Sequence, residues 1–284
     1  MIQQCKDALD RKELVGIIAM DLSKASDYLP HQLLLSKLHA YGVSEGACAL
    51  IKSYLCNRMQ RVKIGSCRSA WSHIVQGVPQ GSILGPLLFN VFTNDIFYVL
   101  DSICSLYNYA DDNSLLNTGC NLRSLRCKLE RSTSVALRWF EMNHMQANPD
   151  KFQAMIFQHD PDKHDIKLDI SGVQIPIRRC VKLLGVHIDY QLKFDTHISS
   201  LCARTGKQIG AVSRISKYLS KECLINIYHA YILSNFSYCN IVWHFCSKEN
   251  CMKMERVHKR ALRVILNDYE KDYKGLLEAA HRPT

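Results

Sequence analysis

No Cys-x-x-Cys pair occurs anywhere in this 284-residue chain, although it holds 13 cysteines. Their number is odd and they are scattered from Cys5 to Cys251, which argues against a disulfide framework and for reduced thiols. Cys239, Cys246, Cys251 and His258 offer four zinc-type ligands, but the six, four and six residues between them do not match a short zinc knuckle, so structural thiols are expected there. Met1-Ile2-Gln3-Gln4-Cys5-Lys6-Asp7 lacks the charged-then-apolar layout of a signal peptide. The longest apolar stretch, Leu84 to Leu100, is broken by Asn90, Asn94 and Asp95, so it does not read as a membrane span. Repeats and low-complexity tracts are missing too. Together these absences point to an intracellular protein, nuclear or cytoplasmic, and away from secreted, fibrous and membrane-embedded classes.

Acidic residues are also in short supply. Against 36 Lys and Arg stand 26 Asp and Glu, a formal net charge of +10 with a pI near 9.0, which favours acidic partners, nucleic acid foremost. Residues 191–284 carry 15 Lys and Arg against 8 Asp and Glu, so the last third holds most of the excess and is the expected backbone-binding surface.

An apolar content of 47% is ample for a substantial core. A helix near Ile2 to Arg11 leads into Leu14-Val15-Gly16-Ile17-Ile18-Ala19-Met20, which has the length of a buried strand ending at Asp21. Helical patterns follow at His31 to Tyr41 and Gly46 to Cys56, then short strands at Gln60 to Gly65 and Trp71 to Gln76, and a long apolar helix from Leu84 to Val99. Beyond an acidic hairpin come a helix from Leu122 to Asn143, a turn at Asn148-Pro149-Asp150, and strand-like pieces at Phe152 to Phe157, Ile166 to Ile170, Val173 to Ile177 and Lys182 to Ile188. From Asp195 onward the periodicity is helical, with segments at His197 to Tyr218, Lys221 to Phe236 and Asn250 to Asn267. The pattern describes an α+β layer, a mainly antiparallel sheet with helices on one face, over residues 1–190, followed by a helical region over 191–284.

The chemistry concentrates at Tyr109-Ala110-Asp111-Asp112. Two adjacent carboxylates in a hairpin repel each other and call for a compensating cation, and hard ions such as Mg²⁺ choose oxygen ligands of this kind. An exposed Asp-Asp turn with no chemistry would show the same four residues. Asp21, however, ends a buried apolar strand, where a carboxylate is costly unless paired or metal-bound. If that strand lies beside the hairpin, three carboxylates converge, as two Mg²⁺ ions clamping a phosphoryl transfer require. Between them runs Gln76-Gly77-Val78-Pro79-Gln80-Gly81-Ser82-Ile83-Leu84-Gly85-Pro86, whose glycines and prolines set an unusual backbone path and let a ligand approach closely.

Three stretches, taken in order and spacing, resemble the palm motifs of reverse transcriptases from non-LTR, jockey-like retrotransposons. They are Ala19-Met20-Asp21-Leu22-Ser23-Lys24-Ala25, Gly77-Val78-Pro79-Gln80-Gly81-Ser82 through Asn90, and Tyr109-Ala110-Asp111-Asp112. Asn148-Pro149-Asp150-Lys151 is similar to the next palm motif, Lys182 to Ile188 to the hairpin gripping the primer end, and residues beyond 191 to a helical thumb and connecting region. The resemblance implies a right-hand polymerase palm followed by a helical thumb, and an RNA-directed DNA polymerase that uses Mg²⁺, or Mn²⁺, an RNA template, a DNA primer and deoxynucleoside triphosphates. It also implies that Asp21 and Asp111 are the main metal ligands, with Asp112 supporting and the Leu22 carbonyl completing a metal shell. Gln80 and Gly81 would meet the incoming nucleotide or template, and Lys151 would protonate or neutralise the leaving pyrophosphate. In the thumb, Lys253, Arg256, Arg260 and Arg263 recur at helical steps beside Met254, Val257, Ala261 and Val264, as a basic face on a duplex backbone would.

Two departures stand out. The family usually has an aromatic residue where Ser26 stands before Asp27; it packs under the sugar, so Ser26 is expected to weaken selection against ribonucleotides. Only twenty residues precede Asp21, so the chain reads as a palm with partial fingers and a thumb, without the upstream fingers or endonuclease, and its activity is expected to be impaired. A noncatalytic nucleic-acid-binding remnant is the alternative. A palm-like nucleotidyl cyclase is a weaker one, because the Gly77 loop and the basic helical tail do not suit it.

Overall fold

The computed structural model describes residues 1–22, 25–162 and 166–281. The chain divides into two compact units, Met1–Arg179 and Cys180–Thr284. That division precedes the expected change of character at residue 191, because the hairpin Cys180–Asp189 groups with the helices that follow it.

In the first unit α1 (Ile2–Asp10) leads into strand β1 (Leu14–Met20), which has the bounds its apolar run predicts. Val15, Gly16, Ile17 and Ile18 are all buried, as in a strand covered on both faces. Helices α2 (His31–Ala40) and α3 (Glu45–Leu55) follow, and the Ser44 side chain caps α3 by accepting from the Ala47 N–H. An arm of four two-residue strands comes next, β2 (Met59–Gln60), β3 (Lys63–Ile64), β4 (Cys67–Arg68) and β5 (Ser72–His73), in which β2 pairs with β5 and β3 with β4.

The expected helix Leu84 to Val99 is two helices, α4 (Leu84–Thr93) and α5 (Asp95–Leu100). At the break the Lys37 ammonium donates to the Phe92 carbonyl at 2.7 Å and pairs with Asp95 at 2.8 Å, so a backbone acceptor is satisfied from another helix. The acidic hairpin β6 (Ser105–Tyr109) and β7 (Asp112–Gly119), the long helix α6 (Leu122–Met142), β8 (Gln153–Ile156) and the hairpin β9 (Lys167–Ile170) with β10 (Val173–Pro176) complete the unit.

Strands β6, β7, β1 and β8, in that order, form one antiparallel sheet. Helix α6 buries Leu125, Leu129, Ala136 and Phe140, spaced as one helical face, in the same core as Ile18, Leu115, Ala154 and Ile156. Its start lies close on β7: a Cβ at Gly119 would stand 2.8 Å from the Leu125 nitrogen, so only glycine fits. The buried Asn117 Nδ2 donates to Ser132 Oγ at 2.8 Å.

The second unit begins with β11 (Cys180–Leu183) and β12 (Val186–Asp189) and continues as α7 (Asp195–Ile215), α8 (Lys221–Ile227), a π turn over Tyr228–Leu233, α9 (Ser234–Ser237), α10 (Asn240–Trp243), α11 (Lys248–Leu266) and α12 (Tyr273–His281). Ile209, Val212, Leu224, Tyr228, Ile232, Leu262 and Ile265 form its core. His258 is held by two tyrosine hydroxyls, Tyr228 at Nε2 (2.6 Å) and Tyr273 at Nδ1 (2.7 Å), so it serves packing rather than a zinc site with the cysteines. Among the described residues no helix is long and apolar enough to cross a membrane.

Candidate active site

The acidic hairpin turns on two residues, Ala110 and Asp111, with Tyr109 opposite Asp112. Tight hairpin turns need positive φ, and Ala110 adopts 53° without the help of glycine. Flanking asparagines brace it: Asn108 Nδ2 donates to the Ala110 carbonyl (3.0 Å) and to Asn113 Oδ1 (2.8 Å), and Asn113 Nδ2 donates to the Asp111 carbonyl (3.1 Å). These two asparagines bracket the Ala110-Asp111 turn symmetrically, a signal that sequence reasoning passed over.

Strand β1 lies antiparallel beside β7 with Met20 opposite Asn113, which brings Asp21, the next residue, alongside Asp112. Partial burial, then the charges of Asp111 and Asp21, push the Asp112 carboxyl above its ordinary pKa. The three acids therefore interact. Asp21 has a cationic neighbour already: Lys151 Nζ lies 3.0 Å from Asp21 Oδ2. Lys151 ends a 3₁₀ turn over Pro149–Lys151 that Asn148 caps by accepting from the Asp150 N–H, and the Asn148 N–H in turn donates to the Asp21 carbonyl at 3.3 Å. Leu22 is buried and its backbone pairs with Ala147, while Ser23 and Lys24 of the same motif lie outside the described residues.

The glycine-rich loop is pinned to the segment after Asp21. Gly77 has φ of 84°, and a Cβ there would stand 2.6 Å from the Asp27 carbonyl oxygen, so the two backbones touch. The Gly77 N–H donates to the Leu29 carbonyl at 2.7 Å and the Val78 N–H to the Ser26 carbonyl at 2.9 Å. Gln80 Nε2 donates to Asp27 Oδ1 at 2.8 Å. Ser82 Oγ donates to the Pro79 carbonyl at 2.6 Å and accepts from the Gly85 N–H at 3.0 Å, which fixes the entry to α4.

This loop, the turn and the residues after Asp21 enclose a cleft of about 270 Å³ whose walls include Ser26, Gln80, Gly81, Phe89, Ala110 and Asp111. The structure thus gathers Asp111, Ser26, Gln80 and Gly81 at one opening, with Asp112, Asp21 and Lys151 linked to it through their charges. An oxygen-only set of mutually repelling carboxylates suits a hard divalent cation. Among the described residues, no three His, Cys, Asp or Glu side chains close into a metal cage.

On α11 the basic face is narrower than its spacing suggests. Arg256 and Arg260 are exposed, Lys253 is half-buried and paired with Glu249 at 3.0 Å, and Arg263 is half-buried with its Nε lacking a hydrogen-bond partner.

The profile of the reverse transcriptase (RNA-dependent DNA polymerase) family matches residues 2–188. The chain belongs to this family. It is similar to the RNA-directed DNA polymerase from mobile element jockey of Drosophila melanogaster, 25% identical over 285 residues that cover 94% of this chain and 31% of the relative. It is also similar to the probable RNA-directed DNA polymerase from transposon BS of the same organism, 27% identical over 275 residues, 91% of this chain and 30% of the relative. The reverse transcriptase domain is therefore of the non-LTR retrotransposon kind, and it spans just under a third of the length of these relatives. The structure of apo telomerase from Candida tropicalis superimposes with a TM-score of 0.51 at 11% identity, over 98% of this chain and 48% of that one, a likeness of polymerase fold.

Proposed function

We propose that this domain catalyses RNA-directed DNA synthesis, adding deoxynucleotides to a DNA primer along an RNA template. The observation that carries the reading is the meeting of Asp21, Asp111 and Asp112 at one sheet edge beside the cleft that Ser26, Gln80 and Gly81 line. In the reaction the primer 3′-oxygen bonds to the α-phosphorus, the bond to the β-phosphate bridging oxygen breaks, pyrophosphate leaves, and the hydroxyl proton passes to solvent. Asp21 and Asp111 would hold Mg²⁺ or Mn²⁺, with Asp112 supporting from the turn and the Leu22 carbonyl available to the shell. Such ions would supply positive charge to stabilise the attacking and leaving oxygens.

The residues of the chain do the rest. Gly81 presents bare backbone to the incoming nucleotide, and Gln80, held by Asp27 in the structure, turns its amide to the base pair. Lys151, beside Asp21, neutralises the departing pyrophosphate. In this reading the first unit is the palm with partial fingers and the second is the thumb, where Arg256 and Arg260, flanked by Lys253 and Arg263, meet the duplex backbone. Ser26 offers a hydroxyl and open space to the sugar, so selection against ribonucleotides is weak. Ser26→Phe should improve deoxy-over-ribo selection by roughly ten- to a hundredfold in competitive incorporation, the range over which a filled apolar pocket rejects a small added group.

The test is extension of a DNA primer on an RNA template with Mg²⁺ or Mn²⁺, run beside Asp111→Asn. Loss on the order of a thousandfold is expected from removing a charge aimed at the transition state. Extension that survives the substitution overturns the metal role. Salt-dependent duplex binding without extension would favour a noncatalytic binding remnant.

A further inference from the structure

No Asp or Glu lies between Glu45 and Asp95, yet Lys52, Arg58, Arg61, Lys63 and Arg68 fall in that stretch. Most of these bases sit on the β2–β5 arm, where every residue from Asn57 to His73 is exposed. A two-stranded hairpin that buries neither face gains nothing from a core. Backbone bonds hold this one, with the Ser69 N–H donating to the Val62 carbonyl and the Ile74 N–H to the Arg58 carbonyl, both at 2.9 Å. Apolar side chains are nevertheless spent on it: Met59, Val62, Ile64 and Trp71 all lie open to water. The Arg61 guanidinium rests 4.4 Å from the centre of the Trp71 ring, a flat aromatic and a cation presented together. At the root of the arm a trough of about 670 Å³ is lined by Arg58, Gln60, His73 and Gln76, by Asp27, whose Oδ1 accepts from Gln80, and by Val78, Pro79 and Gln80, which also line the nucleotide cleft. The trough and the cleft are thus neighbours sharing one wall.

We propose that the arm is a binding surface for single-stranded nucleic acid, reached from the cleft through this trough. Bases stack on the Trp71–Arg61 pair, and Arg58, Lys63 and Arg68 meet phosphates, the combination that sequence-tolerant single-strand binding uses. Charge complementarity selects this occupant, since the arm is cationic without a single carboxylate of its own. Naming the strand as unpaired template rests on the polymerase reading above; the binding surface itself does not.

Trp71 is 55% exposed, while Trp139 and Trp243 are 6% and 4% exposed, so fluorescence quenching by a solution ligand reports on the arm. The full chain is titrated, without nucleotides, with a blunt primer–template duplex and with the same duplex carrying a uridine tail on the template, while labelled duplex gives affinities by anisotropy. Quenching is expected with the tailed duplex alone. Trp71→Ala should weaken tailed binding about tenfold and leave blunt binding unchanged, as loss of one stacked base predicts. Arg61→Ala with Arg68→Ala should flatten the salt dependence of tailed binding. Both changes fall on exposed side chains, and an unaltered melting temperature shows that the fold persists. Equal quenching by both duplexes, an unchanged tailed affinity in Trp71→Ala, or equal competition by polyglutamate would overturn the proposal. Extension without quenching removes the arm alone, whereas quenching without extension removes the polymerase reading alone.

Discussion

The acidic sheet edge and the basic arm belong to the same unit and treat charge in opposite ways. At the edge, Asp21, Asp111 and Asp112 crowd together on strands whose neighbours, Ile18, Met20, Asn113 and Leu115, are buried, and the repulsion shows in the raised Asp112 carboxyl. In the arm, Arg58, Arg61, Lys63 and Arg68 spread along a hairpin with no buried residue, where water and salt screen them from one another. Crowded like charges need a scaffold that cannot relax; dispersed ones do not. The packed part of the fold therefore carries the acid cluster, and the uncovered part carries the spread positive charge.

The contrast is broken most severely by testing the two scaffolds. Ile18→Ala, in the sheet, should cost about 3 kcal/mol of stability, as a buried branched side chain normally does. Ile64→Ala, on the arm, should change it by no more than about 0.5 kcal/mol. Chemical denaturation of the two variants compares them, and equal losses would mean that the arm is covered in solution. Next in size is Gly77→Ala at the junction, where the new Cβ meets the Asp27 backbone at positive φ. A loss of about 2 kcal/mol is expected, together with impaired extension, because the same loop walls the cleft and the trough. Smallest is Asp112→Asn. The raised pKa of Asp112 means that its ionisation penalises the fold, with the penalty growing as pH rises from the ordinary value of 3.8 through the higher folded one. The asparagine variant should melt slightly above the parent near neutral pH, and the gap should close in acid below 3.8, as thermal melts across pH would record.

The acidic edge was legible because its signals are local. An unbroken apolar run predicts β1, residue for residue, and Asp-Asp between strand patterns predicts the turn. The helices of both units followed from periodicity, but their interruptions did not: the break at Asn94 depends on Lys37, a residue from α2. Helix α12 lies within the helical periodicity expected beyond Asp195, but no separate segment is drawn there, since Tyr273–His281 is only nine residues long and holds Gly275 in its first turn. The sequence of the arm predicts two ordinary strands and gives no sign that neither face is covered. Its charge was hidden in averaging, because counting by thirds assigned the basic surface to residues 191–284 while the stretch without acids lay in the first unit. On α11 the i,i+4 spacing already offers the Glu249–Lys253 pair, whereas the partial burial of Arg263 depends on neighbours that spacing does not reveal.

The pair between Lys151 and Asp21 gives the acidic edge a resident counterion, carried on a turn that Asn148 ties to the backbone of Asp21 itself. A cation approaching Asp21 would meet this ammonium at Oδ2, and an ammonium moved aside would stay on a short tether close to the acids.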